Sequence, residues 1–270
     1  MTPVPGPTDP SYKIMTMGKN VMSINEQLRK RGFHLTNTPA EAHLVVCYGG
    51  DGSLFTAEHE FPGILKFPIR DAETAPLCPK HTIDKQLNLL AKNALVHTQL
   101  PKLSCRVENK CDDKMFGIND IFLHNSNPAT AMRYRVYIDD EMYAREVVGD
   151  GVGVSTVHGS TGYYKSITHS VFRTGIGLAF NNSTELINHL VLPWQAVIKI
   201  EVLRGPALVV ADNCLFKDAV AEGQLVELYL RRGVLGDCRT IGLDIFMCPE
   251  CRRLRHTLRD SSRFMGGMAT

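Results

Sequence analysis

The feature that most constrains the fold is a short apolar run that ends abruptly in glycine. The run is Leu44 to Tyr48 (LVVCY), and Gly49 to Ser53 (GGDGS) follows it directly. A short, continuously apolar run is typical of a strand buried on both faces of a parallel sheet. Glycines after such a strand let the backbone approach a ligand, although a strand-to-helix turn capped by Asp51 or Ser53 explains them equally well. The run predicts an α/β unit.

The rest of the first third alternates strand and helix patterns. Ile14 to Met17 predicts a short strand. Apolar residues three and four positions apart predict two amphipathic helices, one over Val21 to Leu28 and one over Ile83 to Leu90. We therefore expect residues 1–100 to form an α/β domain that carries the GGDG turn.

From Leu103 the pattern changes to the period of two that is typical of half-buried strands. Met132 to Ile138 shows it most clearly, because apolar and polar side chains alternate. Residues 101–233 thus predict a mainly β domain, and residues 234–270 a C-terminal segment that packs back on the first domain. Further strands are predicted at Met115–Leu123, Tyr143–Val148, Val197–Val202, Ala207–Ala211 and Leu225–Leu230.

Composition excludes several classes of protein. The 270 residues are 44% hydrophobic and 21% charged, which excludes a disordered chain, a collagen and a coiled coil. A net charge of +2 gives no electrostatic reason to expect nucleic acid or an anionic membrane as partner. No apolar stretch reaches ~18 residues, and the proline-rich first ten residues do not resemble a signal peptide. We expect a cytoplasmic protein.

Two polar segments in the β region are candidate ligand sites. Gly149 to Tyr163 (GDGVGVSTVHGSTGY) reads as a strand between glycine turns, followed by small hydroxyl residues and an aromatic ring. Such groups can bind a planar base or a ribose, but a β-hairpin with a Ser/Thr-rich loop has the same pattern. The pair Asn119-Asp120 lies between apolar residues, where it requires either a polar ligand or an exposed strand end.

In this order, the GGDGS turn, Asn119-Asp120 and the block 150–163 resemble the signature motifs of the NAD kinase family. The similarity spans residues 40 to 232 and includes 177–193 and 209–213. It implies an α/β nucleotide-binding domain followed by a mainly β domain. It also implies transfer of the γ-phosphoryl group of ATP, or of polyphosphate in some members, to the 2′-hydroxyl of the adenosine ribose of NAD. Mg²⁺ or another divalent cation would accompany ATP, and the chain would form a homodimer or homotetramer.

The resemblance also implies roles for the matched residues. Asp51 would take or orient the proton of the acceptor hydroxyl, and the glycines beside it would make room for phosphates. Asn119 and Thr161 would contact adenine, while Asp120 and Asp150 would hold polar groups of ribose or nicotinamide. The implied nucleotide-binding residues are Gly49, Gly50, Gly52, Ser53, Asn119, Asp120, Asp150, His158, Thr161, Gly162, Tyr163 and Ser166.

One segment departs from the family pattern and leaves other functions open. Phe61 to Asp71 (FPGILKFPIRD) stands where the family has Gly-Leu-Gly-Phe, in the wall of the donor site. One alternative is a related GGDG-type kinase for a lipid or sphingoid base, which would need an apolar acceptor groove. The other alternative is a non-catalytic NAD-binding regulator that has lost donor binding.

Two further motifs, which the resemblance does not explain, have the spacing of zinc ligands. Cys78 and His81 (CPKH) and Cys248 and Cys251 (CPEC) together supply three thiolates and one imidazole, a set that suits tetrahedral Zn²⁺. Such a site would fasten the C-terminal segment to the first domain. Two alternatives stay open: the thiols are idle, or Cys105–Cys111 forms the second ligand pair.

Overall fold

The computed structural model describes residues 9–72, 76–110, 115–233, 235–242, 248, 250–251 and 253–254. Within this part of the chain, the residues up to Gln99 group with those from Arg239 onward, and Leu100–Cys238 form a second compact unit. The first unit is α/β and the second is mainly β, so the predicted fold class is confirmed. No helix in the described ranges is long and apolar enough to cross a membrane.

A six-stranded sheet forms the centre of the first unit. Its strands lie in the order β2-β1-β3-β4-β18-β5, and β2, β1, β3 and β4 pair in parallel. Three helices, α1 (Val21–Lys30), α2 (Asp51–Glu60) and α3 (Ile83–Ala91), accompany the sheet. The strands are β1 (Lys13–Gly18), β2 (His34–Leu35), β3 (Ala42–Gly49), β4 (Leu65–Arg70), β5 (Val96–Pro101) and β18 (Asp237–Gly242).

The apolar pattern of the sequence accounts for this unit. Leu44 and Val46 of β3 are fully buried and share one core with Leu28 of α1 and Leu87 of α3. A strand that is covered on both faces needs apolar side chains at consecutive positions, as β3 has. The predicted strand and both predicted helices are therefore present, with ends displaced by a few residues.

The segment that departs from the family pattern, Phe61 to Asp71, contains strand β4. Its proline, Pro68, cannot donate a backbone hydrogen bond and is costly inside a sheet. The register between β4 and β18 pairs Lys66 with Thr240, so Pro68 lies two residues beyond that pair. Pro68 is in register with Cys47 of β3 and lies beyond the pair that joins β4 to β18.

Two six-stranded sheets form the second unit and share one apolar core. Their orders are β10-β9-β14-β17-β6-β7 and β13-β12-β11-β8-β15-β16. The short helix α4 (Tyr163–Thr168) follows β11. The strands are β6 (Leu103–Val107), β7 (Phe116–Gly117), β8 (Asp120–Asn125), β9 (Met132–Ile138), β10 (Glu141–Gly149), β11 (Gly151–Ser155), β12 (Ile176–Asn181), β13 (Leu190–Leu192), β14 (Ile198–Arg204), β15 (Ala207–Ala211), β16 (Cys214–Val220) and β17 (Leu225–Leu230).

The prediction of one continuous strand over Met115–Leu123 is wrong. The chain forms β7 in one sheet, turns at Ile118 and Asn119, and then forms β8 in the other sheet. The turn is stable because the side chain of Asp212 accepts hydrogen bonds from three consecutive backbone N–H groups there. The rival ligand Cys111 lies outside the described residues, and Cys105 is buried in the β core.

Candidate functional site

The GGDG turn begins where β3 ends. Gly49 has a φ of 141°, a conformation that strongly favours glycine, and α2 begins at Asp51. A Cβ atom added at Gly49 would lie 2.6 Å from Oγ of Ser53, whereas one added at Gly50 would meet no atom within 4 Å. Ser53 itself donates a hydrogen bond to the carbonyl oxygen of Tyr48 at 3.2 Å. The hydrogen bond of Ser53 thus fixes the turn, while the backbone at Gly50 has open space beside it for a ligand.

Strand β4 brings a positive charge to this turn. Nη2 of Arg70 lies 3.3 Å from Oδ1 of Asp51, whose side chain is 43% exposed while that of Arg70 is 12% exposed. The backbone N–H of Asp71 donates to the carbonyl oxygen of Gly49 at 3.1 Å. Sequence reasoning missed Arg70, although the Arg-Asp pair at the end of an apolar segment was a usable signal.

The GGDG turn also lies where the strand order of the sheet reverses. From β1 the chain passes through α1 to β2 on one side, and from β3 it passes through α2 to β4 on the other. Open α/β sheets bind ligands at the carboxyl ends of strands at such a reversal. The backbone N–H groups that open α2, from Asp51 onward, suit an anionic ligand there.

In the second unit, Asn119 and Asp120 lie on a turn that is fixed on both sides. Oδ2 of Asp212 accepts from the N–H of Ile118 at 2.7 Å, and Oδ1 accepts from those of Asn119 and Asp120 at 2.7 and 3.2 Å. On the other side, Oγ1 of Thr156 donates to the carbonyl oxygen of Ile118 at 2.6 Å. The sequence alone did not indicate this anchoring role of Asp212.

The side-chain amide of Asn119 stands out within this fixed turn. Its Oδ1 is fully shielded from solvent, and it has no hydrogen-bond partner among the described residues. A Cβ atom added at Gly162 would lie 3.5 Å from the amide nitrogen of Asn119, so Gly162 borders the same group. A shielded acceptor without a donor is costly, and a ligand with an N–H group would remove that cost.

Next to this turn, β8 presents a polar and aromatic face. Asp120, Phe122 and His124 alternate along the strand and so point to the same side. The ring of Tyr163 lies against this face, 4.7 Å from the ring of Phe122 and 5.6 Å from that of His124. A Cβ atom at Gly153 of β11 would lie 2.4 Å from the Phe122 ring, so the neighbouring strand needs glycine here. Sequence reasoning missed His124.

Asp150 lies at the opposite end of β11 from Asp120. Its two carboxylate oxygens accept from Nδ2 of Asn125 at 3.3 Å and from Nδ2 of Asn182 at 2.7 Å. Burial raises the pKa of Tyr163, and the negative charges of Asp120 and Asp150 add to this effect. The two predicted carboxylates therefore lie at opposite ends of β11 rather than forming a pair, and the charge of each raises the pKa of Tyr163.

The hydroxyl-rich loop divides into two sets of side chains. Ser155, Thr156 and Ser160 are buried, and their hydroxyl groups donate to backbone carbonyl oxygens, so these three are structural. The predicted contact residues Thr161 and Ser166 are exposed. The full set of predicted site residues divides between the units: Gly49, Gly50, Asp51, Gly52 and Ser53 belong to the first, and Asn119, Asp120, Asp150, His158, Thr161, Gly162, Tyr163 and Ser166 to the second.

The two carboxyl groups beside the Asn119 turn hold protons more tightly than usual. Burial, and then the charge of Asp212, raise the pKa of Asp120 from 3.8 to about 7. Burial raises the pKa of Asp212 to about 6, although the three N–H groups that it binds oppose the shift. The charge of Asp120 therefore changes near neutral pH, and that of Asp212 changes at a slightly lower pH.

We expect this shift to make the protein less stable as the pH rises. Because the pKa of Asp120 is higher in the folded chain than in the unfolded chain, its stabilising contribution is complete at low pH and is lost as the pH rises through about 7. In Asp120→Asn, the fall in unfolding free energy between about pH 5 and pH 8 should be smaller by ~1–3 kcal/mol. Urea titrations at several pH values measure this. Asp140→Asn is the exposed control, and an unchanged pH slope in Asp120→Asn would contradict the prediction.

Comparisons with curated proteins and with solved structures both find NAD or NADH kinases. No protein-family model matches the chain. An NAD kinase from Enterococcus faecalis is 31% identical over 145 residues, which are 50% of this chain and 54% of that protein. The chain thus spans about half the length of this curated relative.

Two solved structures have the same fold. The yeast NADH kinase complexed with NADH superposes with a TM-score of 0.70 and 17% identity, covering 87% of this chain and 84% of that one. The NAD kinase from Archaeoglobus fulgidus in complex with ATP gives a TM-score of 0.65 and 18% identity, covering 85% and 92%. Across half of its length the sequence is similar to that of curated NAD kinases, and its fold is that of the two solved kinase structures.

Proposed function

We propose that the protein is an NAD kinase, which transfers the γ-phosphoryl group of ATP to the 2′-hydroxyl of the adenosine ribose of NAD. The observation that carries the proposal is the shielded Oδ1 of Asn119, which has no donor among the described residues. An asparagine amide matches adenine well, because its oxygen accepts from the N6 amino group while its nitrogen donates to N7. The similarity to NAD kinases supports the same ligand.

The face of β8 suits the rest of the dinucleotide. The Tyr163 ring offers an apolar surface for a base or a sugar, and the carboxyl groups of Asp120 and Asp150, whose charges act on Tyr163, accept hydrogen bonds from hydroxyl or carboxamide groups. This face also argues against a lipid or sphingoid acceptor. An acyl chain would leave the amide of Asn119 and the nearby carboxyl groups without polar partners.

The first unit supplies the groups that phosphoryl transfer from ATP requires. Asp51 accepts the proton of the 2′-hydroxyl while the new O–P bond forms and the bond between the γ-phosphorus and ADP breaks, so the products are NADP, ADP and one proton. The backbone around Gly50 holds phosphate oxygens, and Arg70 offsets the charge of the transferred group. Mg²⁺ would enter with ATP as part of the substrate and would offset charge on the phosphate oxygens.

An assay of NADP formation tests the proposal. The purified protein is incubated with NAD or NADH and with ATP and Mg²⁺, polyphosphate or no donor, and the products are separated by chromatography. We expect NADP or NADPH only when a phosphoryl donor is present. Sphingosine serves as the competing acceptor. Binding of NAD without product from any donor would instead identify a non-catalytic NAD-binding regulator.

Asn119→Ala tests the adenine contact. We expect NAD to bind about 5- to 150-fold more weakly, which corresponds to ~1–3 kcal/mol for a lost buried hydrogen-bond partner. The unfolding free energy should not fall, because the backbone of Asn119, not its side chain, anchors the turn. Calorimetric titration with NAD and urea unfolding measure the two quantities. Normal NAD affinity in the variant would show that the amide does not bind the ligand.

We also propose that the protein assembles into a homodimer or homotetramer. In the second unit, the edge strand β10 carries exposed apolar side chains, with Met142 54% and Tyr143 39% accessible. Edge strands with such side chains readily pair with another chain. Sedimentation equilibrium gives the number of chains in the assembly directly.

A further inference from the structure

Four potential metal ligands from two distant parts of the sequence lie together in the first unit. The ligand atoms of Cys78, His81, Cys248 and Cys251 all lie within 4.8 Å of one another. Sγ of Cys78 is 3.2 Å from Nδ1 of His81 and 3.9 Å from Sγ of Cys248, and Nδ1 of His81 is 3.3 Å from Sγ of Cys251. The spacing motifs in the sequence thus correspond to one cluster in space.

The distances fit a tetrahedral zinc ion. With Zn–S bonds of about 2.3 Å and Zn–N bonds of about 2.0 Å, tetrahedral angles separate two sulfur ligands by about 3.8 Å and a sulfur from a nitrogen by about 3.5 Å. The observed separations of 3.9, 3.2 and 3.3 Å are close to these values. A disulfide would instead bring two sulfur atoms to about 2.05 Å, and none of the three clustered cysteines forms one.

The protein around the cluster holds the four groups in position. Cys78 and Cys251 are fully buried, and Leu77 and Leu254 pack against them. The N–H of Cys78 donates to Sγ of Cys251 at 3.3 Å, a contact that stabilises a thiolate. The turn between the first two ligands is closed by the N–H of His81, which donates to the carbonyl oxygen of Cys78 at 2.9 Å.

Helix α3 adds further support to the same turn. Nε2 of Gln86 donates to the carbonyl oxygen of His81 at 2.8 Å, and Nζ of Lys85 donates to that of Pro79 at 2.7 Å. Metal sites generally depend on such outer contacts, which orient the ligands. The ligand loop is therefore fixed by the helix that follows it.

We propose that Cys78, His81, Cys248 and Cys251 bind one structural Zn²⁺ through three thiolates and Nδ1 of the imidazole. Four protein ligands fill the tetrahedral coordination and leave no position for substrate, which distinguishes a structural site from a catalytic one. Thiolate and imidazole ligands select zinc over the hard ion Mg²⁺. Each cysteine loses its proton when its sulfur binds, so the occupied site has a net charge of −1. This inference does not depend on the proposed kinase reaction.

The site would connect two stretches of the first unit that are far apart in the sequence. Cys78 lies seven residues after Asp71, whose N–H binds the GGDG turn, and Cys248 follows β18 by a few residues. A bound ion would restrict both stretches of chain at once. It would therefore stabilise the folded unit against unfolding, as structural zinc does when the unfolded chain has no preformed site.

The full-length protein, purified without chelator, provides the test. Elemental analysis should give about one zinc per chain in the native protein and in the control Cys214→Ser, and below about 0.1 in Cys248→Ser/Cys251→Ser. A strong chelator should lower the Tm of the native protein by more than about 5 °C and leave that of the double variant unchanged. A zinc-free native protein that gains no zinc on incubation with ZnCl₂, or cysteines recovered as a disulfide, would overturn the proposal.

A second measurement covers the case in which the double variant fails to fold. Co²⁺ introduced into the native protein should give the intense visible bands of tetrahedral coordination and a thiolate-to-cobalt charge-transfer band. His81→Cys should keep one metal per chain and strengthen the charge-transfer band, because a fourth thiolate replaces the imidazole. A weak octahedral cobalt spectrum in the native protein would show that these four residues do not form the site, and a band unchanged in His81→Cys would show that His81 is not a ligand.

Discussion

Replacing Asp51 by asparagine is expected to lower the rate of NADP formation by about 10²- to 10⁴-fold, the usual contribution of a general base. NAD affinity should change little, since asparagine has the same shape and the nucleotide contacts that we propose belong to the second unit. The ion pair with Arg70 is lost, but Asp51 is 43% exposed and such a pair contributes little to stability. Steady-state kinetics and calorimetric titration with NAD measure the two effects separately.

Glu60→Gln is the matched control, because it neutralises an exposed carboxylate at the other end of the same helix. It should have nearly native kinetics. If Asp51→Asn lowers NAD affinity and turnover equally, Asp51 has a structural role instead. If turnover is unchanged, the proton is accepted by another group.

Asp212→Ala is expected to have the largest effect on stability. It leaves the N–H groups of Ile118, Asn119 and Asp120 without their acceptor, while removing a carboxylate that repels Asp120. We expect a net loss of about 2–4 kcal/mol in the free energy of unfolding, since each N–H group left unsatisfied costs ~1–3 kcal/mol. NAD binding should weaken as well, because the turn that carries Asn119 loses its anchor. Urea unfolding and calorimetry measure both losses.

Asp139→Ala provides a closely matched comparison. Asp139 also lies in a turn with positive φ, at 50° against 52° for Asp212, but it is exposed, and among the described residues its carboxylate accepts from one backbone N–H group, that of Val197 at 2.8 Å. Asp139→Ala should lower the free energy of unfolding by about 1 kcal/mol and leave NAD binding unchanged. Equal losses in both variants would show that the three hydrogen bonds of Asp212 have no special importance. Asp212→Asn keeps one acceptor oxygen, so its loss in the free energy of unfolding should lie between those of Asp139→Ala and Asp212→Ala.

The sequence predicts those features whose cause is local. Leu44 to Tyr48 predicted a buried strand because consecutive apolar residues suit a strand with both faces covered, and the glycines after it marked the turn. The alternation in Met132–Ile138 and Leu225–Leu230 marked β strands for the same reason. The four metal-ligand candidates were predicted from spacing, although only the fold brings the two pairs together.

Features that depend on distant residues could not be predicted. The break between β7 and β8 is stabilised by Asp212, which is more than 90 residues away in the chain, whereas the local apolar pattern favoured one strand. Likewise, Arg70 reaches Asp51 only because β4 pairs with β3. Ser155 and Thr156 resembled ligand-binding hydroxyl residues because sequence does not show that backbone carbonyl oxygens accept from them.

The position of β18 has a consequence for the order in which the chain can fold during synthesis. This strand lies between β4 and β5, yet it is the last of the six to leave the ribosome. Residues 100–238 are contiguous and can complete their contacts while the first sheet still lacks an interior strand. The nascent amino-terminal sheet therefore exposes unpaired edges on β4 and β5 until residue 242 has emerged, and this interval is when it is most open to aggregation or to binding by chaperones.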